Sequence, residues 1–191
     1  MENKMDLRIQ KTYLGLHNAF TELLEEKRFE DFTVNELCER ALIRRATFYK
    51  HFADKYEYYT FYLKEVCETF NDQLAPDVEI HEVHDYSLHM CRELLRFVKR
   101  HEKLVKNALE SNMFPTLLSI LLEQIRSDTL NVLRRVNEAN HLTETQMEGM
   151  AAFFAGGVLS TLFRFLKSGV SINEDEFVQI VAIHLFNIPN D

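Results

Sequence analysis

The chain has 191 residues, of which 46% are hydrophobic and 27% charged, and these globular values exclude wholesale disorder. Five Gly and three Pro are too few for the turns of a strand-rich fold, and no segment has the spaced glycines of a phosphate-binding loop. A net charge of −8 excludes a uniformly basic nucleic-acid-binding surface, although a local basic patch remains compatible with it.

The sequence also carries signals about location. Residues 1–6 have no apolar core, so no signal peptide is predicted. The longest uncharged stretch, residues 149–163, is shorter than the roughly 18–20 residues of a membrane span. Cys38, Cys67 and Cys91 form no CxxC pair and are expected to be buried, reduced thiols. We expect a cytoplasmic protein without a membrane partner.

The N-terminal segment predicts four helices. The first is indicated by apolar residues at helical spacing, namely Ile9, Tyr13, Leu16, Phe20 and Leu23. Thr33 and Glu36 form a capping-box pattern that begins a short second helix. A short third helix follows Arg44, and Asp54 with Glu57 begins a longer fourth one.

The rest of the chain predicts five further helices, at residues 82–100, 102–111, 115–136, 144–167 and 174–187. Capping-box patterns at 143–146 and 173–176 begin the last two of these helices. Gly169 ends the helix predicted at 144–167. Pro115 is placed in the first turn of its helix, where a missing amide proton is harmless. The predicted fold class is therefore all-α, with about nine helices.

A basic segment stands out against the acidic background. Residues 40–55 contain five Lys or Arg and one Asp, a net charge of +4. Such a segment is either a solvated charged turn or a DNA-binding surface. Contacts between Lys or Arg and the phosphates dominate the affinity of proteins for DNA. The pattern of a capped helix, a tight turn and a second short helix favours a helix-turn-helix motif. Phe48 and Phe52 are four residues apart and should face inward.

The run TVNELCERALIRRATFYKHFADKYEYY resembles the DNA-binding segment of TetR/AcrR-family transcriptional regulators. The resemblance implies an N-terminal helix-turn-helix domain over residues 1–58, with its motif at about 33–52. It also implies a helical effector-binding and dimerisation domain over residues 59–191.

Three positions depart from the family pattern. Leu42 stands where the turn usually has Gly, and a left-handed backbone there would cost about 1 kcal/mol unless the turn is remodelled. Arg44 replaces a Ser cap, and Ala53 stands where Pro is common.

The resemblance and the charge pattern together predict the DNA contacts. The predicted residues are Thr33, Arg44, Arg45, Thr47, Tyr49, Lys50, His51 and Lys55. Arg45 and Thr47 should reach base edges, because they begin the recognition helix. The other residues should hold phosphates, with Arg44 able to serve either way. Lys55 is expected to share one phosphate with the free amides of its helix end.

A homodimer is predicted from the last two helices, which build a four-helix interface in TetR-like proteins. The predicted interface residues are small ones at four-residue spacing and one apolar stripe, namely Ala152, Gly156, Ser160, Phe177, Val181 and Leu185. These helices could instead be the ordinary core of a monomer. Binding to a two-fold symmetric DNA site favours the dimer, because the two recognition helices must then lie about 34–36 Å apart.

The sequence identifies no ligand site, although the resemblance places an effector cavity among the middle helices. Candidate lining residues are Tyr62, Phe97, Leu118 and Phe154, each of which could equally be core. His81, His84 and His89 lack the spacing of a metal site, so neither metal nor cofactor is expected.

The functional hypothesis is a DNA-binding transcriptional regulator without enzyme activity. It is expected to be a homodimeric repressor that binds a pseudo-palindromic operator and is released by a small-molecule effector. The alternatives are a TetR-like co-regulator acting through protein partners and, less favoured, a helical enzyme. No nucleophile elbow, CxxC pair or HExxH site supports the enzyme.

Overall fold

The computed structural model describes residues 7–74, 83–136, 141–169 and 173–185. Within those ranges it contains helices and no strand, which confirms the all-α fold. The helices are α1 (Leu7–Glu26), α2 (Val34–Arg40), α3 (Arg45–His51), α4 (Lys55–Leu74), α5 (Val83–Arg100), α6 (Glu102–Leu109), α7 (Phe114–Val136), α8 (Glu144–Ser168) and α9 (Glu174–Leu185). A single 3-10 turn, Phe29–Asp31, lies between α1 and α2.

The predicted caps begin these helices. Asp54 Oδ1 accepts hydrogen bonds from the amides of Tyr56 and Glu57, both at 2.8 Å. Both halves of the capping box at residues 143–146 are present, as are the two reciprocal bonds at 173–176. Gly169 ends α8 in the left-handed conformation at φ 68°. These caps form as predicted because each depends only on neighbouring residues.

The box at the start of α2 forms only in part. Thr33 Oγ1 accepts from the Glu36 amide at 3.2 Å, as expected. The Glu36 carboxylate, however, is bound by Lys27 Nζ at 2.5 Å. The ammonium group is a stronger partner for a carboxylate than a neutral backbone amide, which explains the difference.

The chain divides into two compact units. One comprises residues 1–66 and 101–117, and the other comprises residues 67–100 and 118–191. The first unit therefore includes α6, which packs along α1. This division by compactness differs from the functional boundary predicted between residues 58 and 59, which stays a prediction.

Aromatic rings form the core of the first unit. Phe20 on α1 is fully buried, and rings from the 3-10 turn and from α4 surround it. Its five neighbours lie at centroid distances of 4.9–6.3 Å, and they are Phe29, Phe32, Tyr58, Tyr59 and Tyr62. Most of these pairs are tilted or edge-to-face, the arrangements that aromatic quadrupoles favour. The cluster fixes α1 and α4 around the turn that enters α2.

The second unit is built on α8, whose inner face is buried. That face includes Ala151, Phe154, Val158 and Leu162. Helix α9 packs along α5 and also contacts α8. All three cysteines of the chain are free and buried, as expected. Burial raises the pKa of the Cys67 thiol to about 11.

Among the described residues, α8 is the one helix long and apolar enough, by length and composition, to cross a membrane. Only 39% of its most apolar window is buried inside the chain. An apolar surface therefore remains uncovered along α8.

The turn between α2 and α3 keeps its expected geometry despite the absence of Gly. The Ile43 amide donates to Cys38 O at 3.0 Å and the Leu42 amide to Glu39 O at 3.2 Å. This is the bonding pattern of a Schellman motif, which requires a left-handed residue after the helix end. Leu42 occupies that position at φ 55°, with 92% of its surface exposed. The turn is therefore strained and not remodelled.

Replacing Leu42 with Gly should stabilise the protein. Gly relieves the left-handed backbone at φ 55°, and the exposed leucine side chain gives up no packing. We expect a gain of about 1 kcal/mol, corresponding to a rise in Tm of about 2–4 °C for a chain of this size. Thermal unfolding followed by circular dichroism measures it. Leu42→Ala is the control and should give no comparable gain, because Ala retains the Cβ; equal gains would contradict the strain.

Candidate nucleic-acid interface

Two buried phenylalanines attach α3 to the core of the first unit. Phe48 is fully buried and Phe52 is 5% exposed, which confirms that both face inward. Their rings lie 5.9 and 4.8 Å from the Tyr58 ring of α4. Because α3 has only seven residues, these anchors determine which of its faces remains exposed.

The first residues of α3 are exposed. Arg44 has the extended backbone of an N-cap but makes no side-chain cap bond, in agreement with the weaker capping expected of Arg. Neither Arg44 nor Arg45 has a carboxylate within 4.0 Å among the described residues. The Arg45 guanidinium lies 5.9 Å from the Tyr49 ring centroid, near the outer limit of a cation–π contact. Both arginines can therefore reach a ligand.

The other predicted contacts of α3 differ in exposure. Tyr49 and Lys50 are exposed, whereas Thr47 and His51 are half-buried. The His51 ring lies 5.5 Å from the Tyr13 ring of α1, edge to face. Thr33, at the start of α2, is exposed. The structure thus brings Arg44, Arg45 and Lys50 together on one short helix, while His51 packs toward α1.

One basic residue of the segment is already paired. The Arg40 guanidinium donates to both carboxylate oxygens of Glu26, at 2.6 and 2.9 Å. These hydrogen bonds hold the pKa of Glu26 below its usual value. Sequence reasoning counted Arg40 among the available cations because its partner lies 14 residues away on another helix. The available charge of the patch is correspondingly smaller than +4.

Lys55 faces the protein interior in this structure. Its ammonium group donates to Phe29 O at 2.9 Å and to Phe32 O at 2.8 Å. Burial lowers the pKa of this ammonium group, and the Glu30 and Asp31 carboxylates act in the opposite direction. The sequence predicted a phosphate contact for Lys55, and that role stays a prediction. The geometry gives its side chain a different set of partners.

Comparison with known proteins identifies the chain. The model described as bacterial regulatory proteins of the tetR family matches residues 18–57, which include α2 and α3. A model described as a transcriptional regulator C-terminal region matches residues 85–187, more than half of the chain. The chain belongs to the TetR family. Its family is one of DNA-binding transcriptional regulators, and the helix-turn-helix described above lies within the residues that the tetR-family model matches.

Individual relatives agree with this assignment. The uncharacterized HTH-type transcriptional regulator YxbF of Bacillus subtilis (strain 168) is 34% identical over 75 residues. That match spans 39% of this chain and 20% of the length of YxbF. The chain therefore spans about a fifth of this curated relative.

Solved structures of low identity share the fold of this TetR-family chain. The dihydroxyacetone kinase operon activator DhaS aligns with a TM-score of 0.61 at 19% identity, covering 90% of this chain and 93% of DhaS. The flavonoid-responsive regulator FrrA aligns with a TM-score of 0.62 at 20% identity, covering 90% of this chain and 92% of FrrA. A TetR-like transcriptional regulator from Rhodococcus sp. RHA1 aligns with a TM-score of 0.57 at 15% identity, covering 90% of this chain and 91% of that regulator.

The predicted dimer residues of this TetR-family chain fall into two groups. Ala152 and Ser160 are exposed and Gly156 is half-buried, all on the outer side of α8. Phe177 is 0% and Val181 6% exposed. These two residues of the predicted α9 stripe are thus buried within the chain's own core, and their role in a dimer stays a prediction. Leu185 lies in α9, but its side chain is outside the described residues.

Sequence reasoning missed an exposed phenylalanine on α8. Phe153 is 64% exposed and lies beside an apolar groove of about 200 Å³ between α8 and α9. The groove is also lined by Phe154, Gly157, Val158, Thr161, Ile180 and Val181. The available signal was a single aromatic ring at four-residue spacing from Gly149 and Gly157, on a face of otherwise small residues.

The remaining site candidates are placed as follows. Tyr62 is buried in the first unit, where its hydroxyl lies 2.9 Å from Thr21 Oγ1, and Phe97 packs against Phe70 in the second unit. Leu118 is half-buried. His81 lies outside the described residues. Within the described ranges no group of three or more His, Cys, Asp or Glu could hold a metal ion.

Arg45→Ala should relax base discrimination. Arg45 is exposed at the start of α3, and a bidentate contact with guanine contributes about 1–3 kcal/mol of discrimination. Binding to an operator and to its single-base variants measures this effect at one base pair. Lys50→Ala is the control, since loss of a phosphate contact weakens all sequences about equally. Unchanged base preference in Arg45→Ala would contradict the assignment.

Proposed function

We propose that the chain is a homodimeric repressor that binds a pseudo-palindromic operator and is released by a small-molecule effector. The observation that carries this proposal is the exposed Arg44, Arg45 and Lys50 group on a helix anchored by Phe48. Guanidinium groups at the start of a recognition helix can contact bases, and the Lys50 ammonium group in the last turn can contact an adjacent phosphate. Regulators of this kind act in the cytoplasm.

The dimer is supported by the uncovered face of α8. A Cβ added at Gly156 or Gly157 would meet no atom within 4 Å inside the chain. Glycine in a helix is destabilising by about 1 kcal/mol relative to Ala, and packing within the chain does not require it here. Close approach of a second subunit's backbone would account for both Gly156 and Gly157. Burial of the exposed Phe153 ring, which lies beside the α8–α9 groove, against that second subunit would account for the ring.

Gly157→Leu should weaken the dimer without unfolding the subunit. A Cβ added at Gly157 meets no atom of its own chain within 4 Å, but a leucine there would separate two helices that pack closely through small residues. We expect the dimer Kd to rise at least about tenfold, a change of about 1.4 kcal/mol, by sedimentation equilibrium. Gly149→Leu is the matched control on the same helix, outside the groove, and should remain dimeric. A wild-type monomer at micromolar concentration would refute the dimer.

Effector control is proposed because FrrA, which shares the fold, is named a flavonoid-responsive regulator. A ligand can release the operator only if it binds one arrangement of the DNA-binding domains more tightly than the other. The effector and its site are open within this proposal, with Phe97, Leu118 and Phe154 as candidate lining residues.

The proposed function is tested by DNA selection. Duplexes from genomic fragments and a random pool are selected on the wild-type chain, and mobility shifts are then measured at several salt concentrations. We expect a two-fold symmetric sequence whose affinity falls with salt, because cations on the protein replace counterions on DNA. Failure to select any duplex would favour the co-regulator that acts through protein partners.

Two other candidates deserve comparison. Activation in place of repression is supported by DhaS, which is named an operon activator and shares the fold. Transcription from a promoter carrying the selected operator distinguishes the two effects. A helical enzyme is disfavoured, because the matched families are transcriptional regulators.

A further inference from the structure

Lys55 begins α4, yet its side chain serves the turn between α1 and α2. The ammonium nitrogen lies 2.9 Å from Phe29 O and 2.8 Å from Phe32 O. It also lies 4.4 Å from the centroid of the Phe29 ring and 5.3 Å from that of Phe32. An ammonium group has three donors, and two of them are engaged with these carbonyls, which are 26 and 23 residues away in sequence.

Both carbonyls belong to residues whose side chains are in the core. Phe29 is 0% and Phe32 1% exposed. The hydrogen bond of the 3-10 turn, from the Asp31 amide to Arg28 O, uses neither of their carbonyls. Backbone carbonyls beside a buried core need a hydrogen-bond partner. Lys55 supplies one partner to both and thereby fixes the two ends of the turn relative to α4.

The turn leads directly into the DNA-binding element. Thr33 follows Phe32 and caps α2, and α2 joins α3 through the strained turn at Leu42. On its other side the turn is held by Glu30, whose carboxylate accepts a hydrogen bond from the Asn112 amide after α6. A displacement of Phe32 would therefore move the capped end of α2 and, with it, the recognition helix.

We propose that Lys55 is a positioning residue for DNA binding, which holds the 29–32 turn and the start of α2 in place and makes no phosphate contact. The proposal rests on the proposed function, because positioning matters only if α3 binds DNA. Lys50 is the natural counterpart: it is exposed, and no carboxylate lies within 4.0 Å of it among the described residues. The phosphate role then falls to Lys50.

Lys55→Met tests the assignment, because Met keeps an apolar stem over the Phe29 ring and removes the donors. Its Kd is measured with a duplex selected on the wild-type chain, at a temperature where circular dichroism shows every variant folded. We expect an affinity loss of about tenfold with an unchanged slope of log affinity against log salt. Lys50→Ala, the matched control, should reduce the magnitude of that slope by about 1.8, because each of the two subunits of the proposed dimer loses one phosphate contact worth about 0.9.

A second variant and a second signal make the result decisive. Lys55→Gln retains a donor without the charge and should recover part of the affinity that Lys55→Met loses. If Lys55 instead contacted a phosphate, both variants would reduce the salt slope by the same amount. In NMR spectra of lysine ammonium groups, the Lys55 signal should be protected from exchange before DNA is added and unshifted afterwards, while the Lys50 signal shifts.

Three outcomes would overturn the proposal. They are a salt slope reduced in Lys55→Met, a lower Tm without any loss of affinity, and an ammonium signal of Lys55 that shifts on DNA binding. The Tm separates this question from the proposed function. If the wild-type chain selects no duplex, the proposed function fails, and a Tm of Lys55→Met equal to that of Lys50→Ala would independently show that Lys55 does not hold the turn.

Discussion

The burial of Phe48 is the constraint on which the DNA-binding surface depends. Helix α3 has seven residues, too few to be stable alone, since isolated helices shorter than about 12–15 residues are marginal in water. Its orientation therefore comes from Phe48 and Phe52 packing against Tyr58. Truncating a buried Phe to Ala typically costs about 3–5 kcal/mol, a large part of the roughly 5–15 kcal/mol that stabilises a whole domain. Substituting one exposed arginine would remove one contact, whereas truncating Phe48 would remove the anchor that orients the whole helix.

Local features of this fold were predictable from the sequence. The caps at Asp54, Thr143 and Asn173 involve residues at most four apart, and the inward direction of Phe48 and Phe52 follows from their spacing. The left-handed conformation at Leu42 was also foreseeable, because a Schellman turn demands it whichever residue is present. A short segment determines each of these features.

Features that depend on distant parts of the chain were not predictable. Arg40 and Glu26 are 14 residues apart, and Lys55 binds carbonyls 23 and 26 residues away, so no local pattern indicates either pairing. The apolar stripe of α9 was recognised, but periodicity cannot tell a face that packs within the chain from one that awaits a partner. Burial of Phe177 and exposure of Phe153 become visible only once α5, α8 and α9 are placed.

The acidic character of the protein gives the proposed dimer a functional consequence. Pairing of Arg40 and inward placement of Lys55 leave three exposed cations on each α3, in a chain whose net charge is −8. If all three neutralise phosphates, the slope of log affinity against log salt is about −2.7 for one subunit and about −5.4 for two. A single subunit would therefore hold DNA weakly at physiological salt, against repulsion from its own acidic surface. In the proposed dimer, two subunits would double the cation count and make affinity depend on the spacing of the two recognition helices, which is the quantity that the proposed effector would change.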